Sequence, residues 1–110
     1  MSLYGGELLP GDVYEDWAAA PRERLSRRYL SLVDVVAAAA EDAGDLDEAA
    51  RLYDAGIAAD PLDEGRYLAL HRVLTRQGRA GAARQVAEGA ARVFRDLGME
   101  LHPTLRAALG

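Results

Sequence analysis

The two histidines, His71 and His102, are the first side chains to consider for acid–base chemistry or metal binding. A zinc site needs three or four ligands at suitable spacing, and no further ligands stand at such spacing near either histidine. The chain has no cysteine, which excludes disulfides, thiolate metal sites and cysteine nucleophiles. We therefore predict no metal site and no cofactor, and we interpret His71 as a packing or groove residue.

Adjacent carboxylates could also act as general acid and base. Such pairs gain catalytic pKa values only when they are buried in a cleft, whereas acidic residues near helix starts complement the helix dipole. No serine lies in a nucleophile-elbow context, and Gly5-Gly6 is not followed by the residues of a phosphate-binding loop. We predict that the chain is not an enzyme and that its carboxylate pairs cap helices or face solvent: Glu15-Asp16, Glu41-Asp42 and Asp47-Glu48.

The basic residues are thirteen arginines, and the net charge is −5. Proteins that bind nucleic acid are usually basic, so we expect no direct nucleic-acid contact. We predict that two clusters of arginine lie on solvated helix faces. The alternative is that they form a surface that contacts an acidic partner or a neighbouring domain. The clusters are Arg22, Arg24, Arg27 and Arg28, and Arg72, Arg76, Arg79 and Arg84.

The elements that position these side chains are all predicted to be helices. We expect a short helix over 14–19 with Trp17 facing inward, and a long helix that starts at Pro21 and ends near Ala43. Its predicted inward face consists of Leu25, Tyr29, Leu32, Val36 and Ala40, widened by Val33 and Ala37.

The later helices carry clear start and stop signals. Asp45 is predicted to cap one helix, and Asp60-Pro61 to begin the next. Gly78 and Gly98 are expected to end helices in the left-handed conformation, as is Gly44 before Asp45. A final short helix is predicted from Pro103 through Leu109. The short connections favour antiparallel neighbours.

A repeat of 34 residues relates Gly44 to Gly78 and Ala49 to Ala83. This is the tetratricopeptide period, and Ala49, Tyr53 and Pro61 fall where that motif has its small, large and proline residues. Gly56 departs from the motif, which prefers alanine there. The sequence thus predicts an all-α, tetratricopeptide-like stack of antiparallel helical hairpins, with about five or six helices in a right-handed superhelix.

The order and spacing of several short motifs resemble the bacterial transcriptional activator domain of regulators of antibiotic-biosynthesis genes. The resemblance runs from Tyr4 to Leu109. The matching pieces are Tyr4-x-Gly6-x-Leu8-Leu9-Pro10-Gly11, Trp17, Arg22-Glu23-Arg24-Leu25 with Tyr29, Gly44-Asp45 with Ala49, Asp60-Pro61-Leu62-x-Glu64, Gly78 with Ala83, and Leu97-Gly98 followed by a proline.

This resemblance implies a regulatory module that acts through protein contacts, within its own chain, between protomers or with the transcription machinery. In that family the domain usually follows a winged-helix DNA-binding domain. We expect one domain over 4–109, a three-residue leader over 1–3, and a protein partner, a neighbouring winged-helix domain or a homodimer as the contact. The alternative is a general tetratricopeptide scaffold or adaptor unrelated to transcription.

In tetratricopeptide geometry the first helix of each hairpin lines a groove. This places the predicted partner-binding groove on Asp34, Ala37, Arg66, Tyr67 and His71. No window approaches the roughly 18 apolar residues of a membrane span, and Met1 to Gly6 do not resemble a signal peptide. We therefore expect a cytoplasmic protein with no membrane contact.

Overall fold

The computed structural model describes residues 11–110, with side chains from Ser26 onward. The described residues form five helices and no strand, which confirms the all-α prediction. The helices are α1 (Gly11–Asp42), α2 (Leu46–Ala59), α3 (Glu64–Arg76), α4 (Ala80–Asp96) and α5 (Pro103–Leu109).

The chain divides into two compact units, residues 1–31 and residues 32–110. In the first unit the described backbone is helical from Gly11, and the side chains of Ser26 to Tyr29 are exposed. The second unit contains the last part of α1, from Leu32, together with α2 to α5. Within it, α2 packs on α3, α3 on α4, and α4 on α5. The predicted superhelix hand stays a prediction.

The predicted break before Pro21 is wrong, because α1 continues through that residue. An interior proline removes one backbone hydrogen bond but does not always end a helix. The prediction that Trp17 faces inward concerns a side chain outside the described ones, as do those made for Leu25 and for the residues before Gly11.

Three glycines end helices as predicted. Gly44, Gly78 and Gly98 have φ values of +83°, +75° and +71°, a region that side chains disfavour. After each glycine, the next backbone N–H donates to a carbonyl five residues back: Asp45 to Ala40, Arg79 to Leu74 and Met99 to Phe94. This motif closes three helix ends in the same way.

The helix starts agree with the sequence at one site and differ at another. Asp45 caps α2, and its side chain accepts a hydrogen bond from the N–H of Glu48. The prediction that Asp60-Pro61 begins α3 is wrong, because the Asp60 carboxylate accepts from the N–H of Leu62 and holds a turn instead. Asp63 is the cap, accepting from the N–H of Gly65.

The core consists of two clusters that meet at α3. The first joins α1, α2, α3 and α4, and the second joins α3, α4 and α5. Small residues at helix contacts let the axes approach closely, as the sequence predicted for Ala49 and Ala83. The first cluster contains Ala37, Ala49, Tyr53, Ala69, Leu70, Val73, Leu74 and Ala83, and the second contains Tyr67, Ala87, Ala90, Phe94 and Leu105.

The buried face of α1 is only one side of the predicted stripe. Val33 and Ala37 are buried, whereas Tyr29, Leu32 and Val36 are exposed. The predicted stripe contained both sets, and the helix turns the side with the smaller side chains toward α2 and α3. Five apolar residues of the second unit are consequently open to solvent on α1: Leu32, Val35, Val36, Ala38 and Ala39.

Candidate interaction surfaces

Arg66 is a buried cation on α3, held by three carboxylates. Its Nε and Nη2 donate to the two carboxylate oxygens of Asp34 at 2.9 and 3.0 Å. Its Nη1 lies 3.3 Å from Asp63 and 3.8 Å from Asp60. Burial alone would lower the pKa of Arg66, but hydrogen bonding and charge from Asp34, then charge from Asp63 and Asp60, raise it above its ordinary value. The cluster ties α3 to α1 with its charge neutralised.

Glu41 is a buried carboxylate on α1 that connects three helices. It accepts two hydrogen bonds from Arg72, each 2.7 Å long, and one from the hydroxyl of Tyr53 at 3.2 Å. Arg76 approaches at 3.4 Å. The hydrogen bonds from Arg72 lower the pKa of Glu41 against the opposing effect of burial. Glu41 was predicted to cap a helix or to face solvent. That was wrong, because this ring of donors keeps the carboxylate satisfied inside.

The five residues of the predicted groove do not line one surface. Asp34 and Arg66 are joined in the first ion cluster, and Ala37 and Tyr67 are core residues. The Tyr67 hydroxyl donates to the carbonyl of Pro61 at 2.9 Å, and burial raises its pKa. His71 borders an open cavity of about 440 Å³ between α3, α4 and α5, whereas Tyr67 lines a different cavity, between α2 and α4. Partner binding by these residues stays a prediction.

The departure of Gly56 from the repeat motif has a structural reason. Gly56 is buried on α2, beneath the stem of Arg66. A Cβ atom at this position would lie 2.7 Å from Cδ and 3.0 Å from Nε of Arg66. The motif's usual alanine would therefore displace an arginine that three carboxylates hold in place. The absence of a side chain at Gly56 makes room for the buried stem of Arg66. The sequence alone did not reveal this relation.

The 34-residue repeat matches the exposed residues of α1 to residues of α3 that are buried. Leu32, Val35 and Val36 are 62%, 65% and 43% exposed. Their equivalents Arg66, Ala69 and Leu70 are 6%, 7% and 4% exposed, because α1 and α2 lie against them. In the same register Ala39 is exposed and Val73 is fully buried. We call Leu32, Val35, Val36 and Ala39 the α1 face.

A second surface is an open groove of about 520 Å³ between α2 and α4, with α3 as its floor. Its apolar lining includes Ile57, Leu70 and Val86, while charged side chains stand along the α2 edge. This groove was not predicted from the sequence, because it lies between the second helices of the two hairpins, whereas tetratricopeptide geometry pointed to the first helices.

Metal binding and membrane insertion find no support in the described residues. Among the side chains that the structure describes, from Ser26 onward, no group of three or more His, Cys, Asp or Glu residues is arranged to hold a metal ion. Among the helices within 11–110, none combines the length and the apolar character that crossing a membrane requires.

The fold and its surfaces define an all-α stack of helical hairpins with solvent-exposed apolar faces. The family described as the bacterial transcriptional activator domain matches residues 1–109, and the chain belongs to this family. The resemblance found in the sequence is thereby confirmed. No curated protein and no solved structure matches the chain.

Proposed function

We propose that the chain is the protein-interaction module of a bacterial transcription activator, and that the α1 face is one of its contact surfaces. The observation that carries this proposal is the repeat comparison. The same register positions are buried against a preceding hairpin on α3 and open on α1. A partner helix from another protein of the transcription machinery would cover the α1 face as α1 and α2 cover α3.

The energetics favour such a contact. Full burial of a leucine or valine side chain contributes roughly 1.5 to 3 kcal/mol relative to full exposure. Leu32, Val35 and Val36 already bury part of their surface, so a partner would gain about 1 kcal/mol from each. An exposed apolar strip of this kind marks an interaction site more often than a random surface does.

The module is proposed to act through contacts rather than catalysis. In the described part of the chain, the carboxylates with shifted pKa values, Glu41 and Glu48, are hydrogen-bonded to arginines. Such groups are held ionised and are poor proton donors or acceptors near neutral pH. The net charge of −5 supports contacts with protein rather than with nucleic acid. The site of action would be the cytoplasm, where bacterial transcription occurs.

A general scaffold outside transcription is the second candidate, and the 34-residue repeat favours it. The two candidates differ in the neighbours that they require in the parent gene. An activator requires a DNA-binding domain, whereas a scaffold requires further repeats. Sequencing the gene on both sides of this chain separates them.

The proposal is tested by fusing the chain to an unrelated DNA-binding domain and measuring transcription from a reporter promoter. Val35→Asp places a charge at the centre of the α1 face and should reduce activation to the level of the DNA-binding domain alone. Ala38→Asp is the matched control, because Ala38 is exposed on α1 and its repeat equivalent, Arg72, is also exposed. Full activation by Val35→Asp would overturn the proposal.

A further inference from the structure

The groove between α2 and α4 has the features of a docking site for one helix. We propose that it binds an amphipathic helix that carries basic residues along the flank facing α2. This groove is separate from the α1 face, because it lies between α2 and α4, the second helices of the two hairpins. The inference therefore does not rest on the proposed function, and either can fail alone.

The floor of the groove supplies the apolar contact. Leu70 and Leu74 of α3 lie at its base, with Ile57 on the α2 side and Val86 on the α4 side. Tyr67 closes the base near Ile57. Apolar side chains at the base of an open cleft, with charges at its edges, form the surface that receives the apolar stripe of a partner helix.

Small residues keep the groove open. Ala50 on α2, and Ala82 and Gly89 on α4, border it without filling it. A Cβ atom built on Gly89 would meet only Nη2 of Arg92, at 3.8 Å. Glycine inside a helix costs up to about 1 kcal/mol relative to alanine, and neither a turn nor a close contact requires it here. Gly89 instead leaves space in the groove for a partner helix.

The edge of α2 sets the charge of the occupant. Asp47 and Asp54 stand two turns apart along this edge, about 10 Å by the helical rise. Arg51, between them, donates two hydrogen bonds to Glu48, at 2.8 and 2.6 Å, so its charge is locally balanced. Asp47 accepts from Gln77 and keeps its charge. Asp47, Glu48 and Asp54 thus outnumber Arg51 along α2, while Arg79 lies on the opposite edge, where it donates to Gln77. The α2 edge is therefore acidic and favours a flank of lysine or arginine, most of all beside Asp54.

The groove has the length for about three turns of a helix. Its lining on α2 runs from Asp47 to Ile57, a separation of ten residues or about 15 Å. A partner helix anchored at positions i, i+3 or i+4, and i+7 matches this length. Gln85 and Arg79 on the α4 edge complete a rim that is polar on both sides.

The test uses two labelled synthetic helices of about 18 residues, with the same apolar stripe. One carries arginines along a single flank, and the other carries glutamates there. Fluorescence anisotropy with the full 110-residue chain should show saturable binding of the arginine peptide, at least about tenfold tighter than that of the glutamate peptide. No saturable binding of the arginine peptide, or equal affinity for both peptides, would overturn the proposal.

Matched glycine substitutions locate the binding site. Gly89→Leu fills the groove and should weaken arginine-peptide binding by about tenfold or more. Gly81→Leu is the control, because Gly81 lies on the same helix, has open space around it and does not line the groove. Urea unfolding shows whether both variants fold. Equal losses of peptide affinity in the two folded variants, or no loss of affinity in Gly89→Leu, would contradict the proposed position of the binding site. Asp54→Arg should reduce the difference in affinity between the arginine peptide and the glutamate peptide.

Discussion

Two junctions within residues 32–110 connect successive hairpin helices, and they use different chemistry. On one side of α3, ion clusters around Arg66 and Glu41 connect it to α1 and α2. On the other side, Tyr67 packs edge-to-face on Phe94, with ring centroids 5.9 Å apart, and Leu105 is fully buried beside them. We call these the polar junction and the apolar junction.

The 34-residue register shows how one chemistry replaces the other. Asp60 of the Arg66 cluster corresponds to Phe94, and Asp34 corresponds to Leu68, which packs against the second core cluster. The repeat geometry is preserved while its contacts change from charge to apolar burial. Backbone turns and small contact residues therefore define the stack, and the larger side chains only need to fill or neutralise the space between helices.

The largest effect is expected at the apolar junction. Phe94→Ala removes a fully buried ring and leaves a cavity beside Tyr67 and Leu105, which costs about 3 to 5 kcal/mol of unfolding free energy. The loss should be the same at pH 7 and pH 4, because no ionisable group contributes to it. Urea unfolding at both pH values measures this. A loss below about 1 kcal/mol would show that the junction is not closely packed.

At the polar junction the effect should depend on pH. Glu41→Gln removes a buried charge from Arg72 and Arg76 and should cost about 2 kcal/mol at pH 7. The pKa of Glu41 is lowered in the folded chain from its ordinary 4.5. Its stabilisation is thus fully present above about pH 4.5 and is lost as the pH falls through the lower, folded-state pKa.

Unfolding free energies of the wild type and Glu41→Gln should accordingly converge in acid. Urea titrations at pH 7, pH 4.5 and pH 3 measure this convergence. A difference that stays constant over the whole range would mean that the carboxylate acts through packing alone.

A smaller effect is expected where the polar junction departs from the repeat motif. Gly56→Ala forces a shift of Arg66 and should cost about 1 to 2 kcal/mol, despite the better helix propensity of alanine. In an Arg66→Ala background the same change should be neutral or stabilising, because the obstructing stem is absent. A double-mutant cycle from urea unfolding gives the coupling energy. Additive effects would disprove the steric link.

The smallest effect on stability is expected on the α1 face, which makes no junction within residues 32–110. Val35→Asp should change the unfolding free energy by no more than about 0.5 kcal/mol, because Val35 is 65% exposed. Thermal unfolding compared with the Ala38→Asp control measures this. A loss of several kcal/mol would mean that Val35 is already buried in solution.

The sequence predicted the features that depend on local chemistry. Gly44, Gly78 and Gly98 mark helix ends because positive φ is a property of the residue itself. Asp45 was recognised as a cap because its hydrogen bond spans only three residues. At Asp60 the same reasoning failed, because Asp63 offers an equally good cap and the choice between them depends on the turn that Asp60 forms.

The surfaces and ion clusters depend on which way each helix faces, and periodicity alone did not settle that. From Leu32 to Ala40, eight of the nine residues of α1 are apolar, so the sequence alone did not distinguish Val33 from Val36 as the buried residue. Glu41 was expected in solvent because its partners Arg72 and Arg76 lie more than thirty residues away. Pairing across such distances becomes visible only when the helices are packed together.

The central claim is that the α1 face is a contact surface of a transcription activator module. The most direct measurement is reporter transcription by the tethered chain with Val35→Asp beside Ala38→Asp, once both variants are shown to unfold at the same urea concentration. We predict that activation is lost with Val35→Asp and retained with Ala38→Asp. Equal activation by the two variants would contradict the claim.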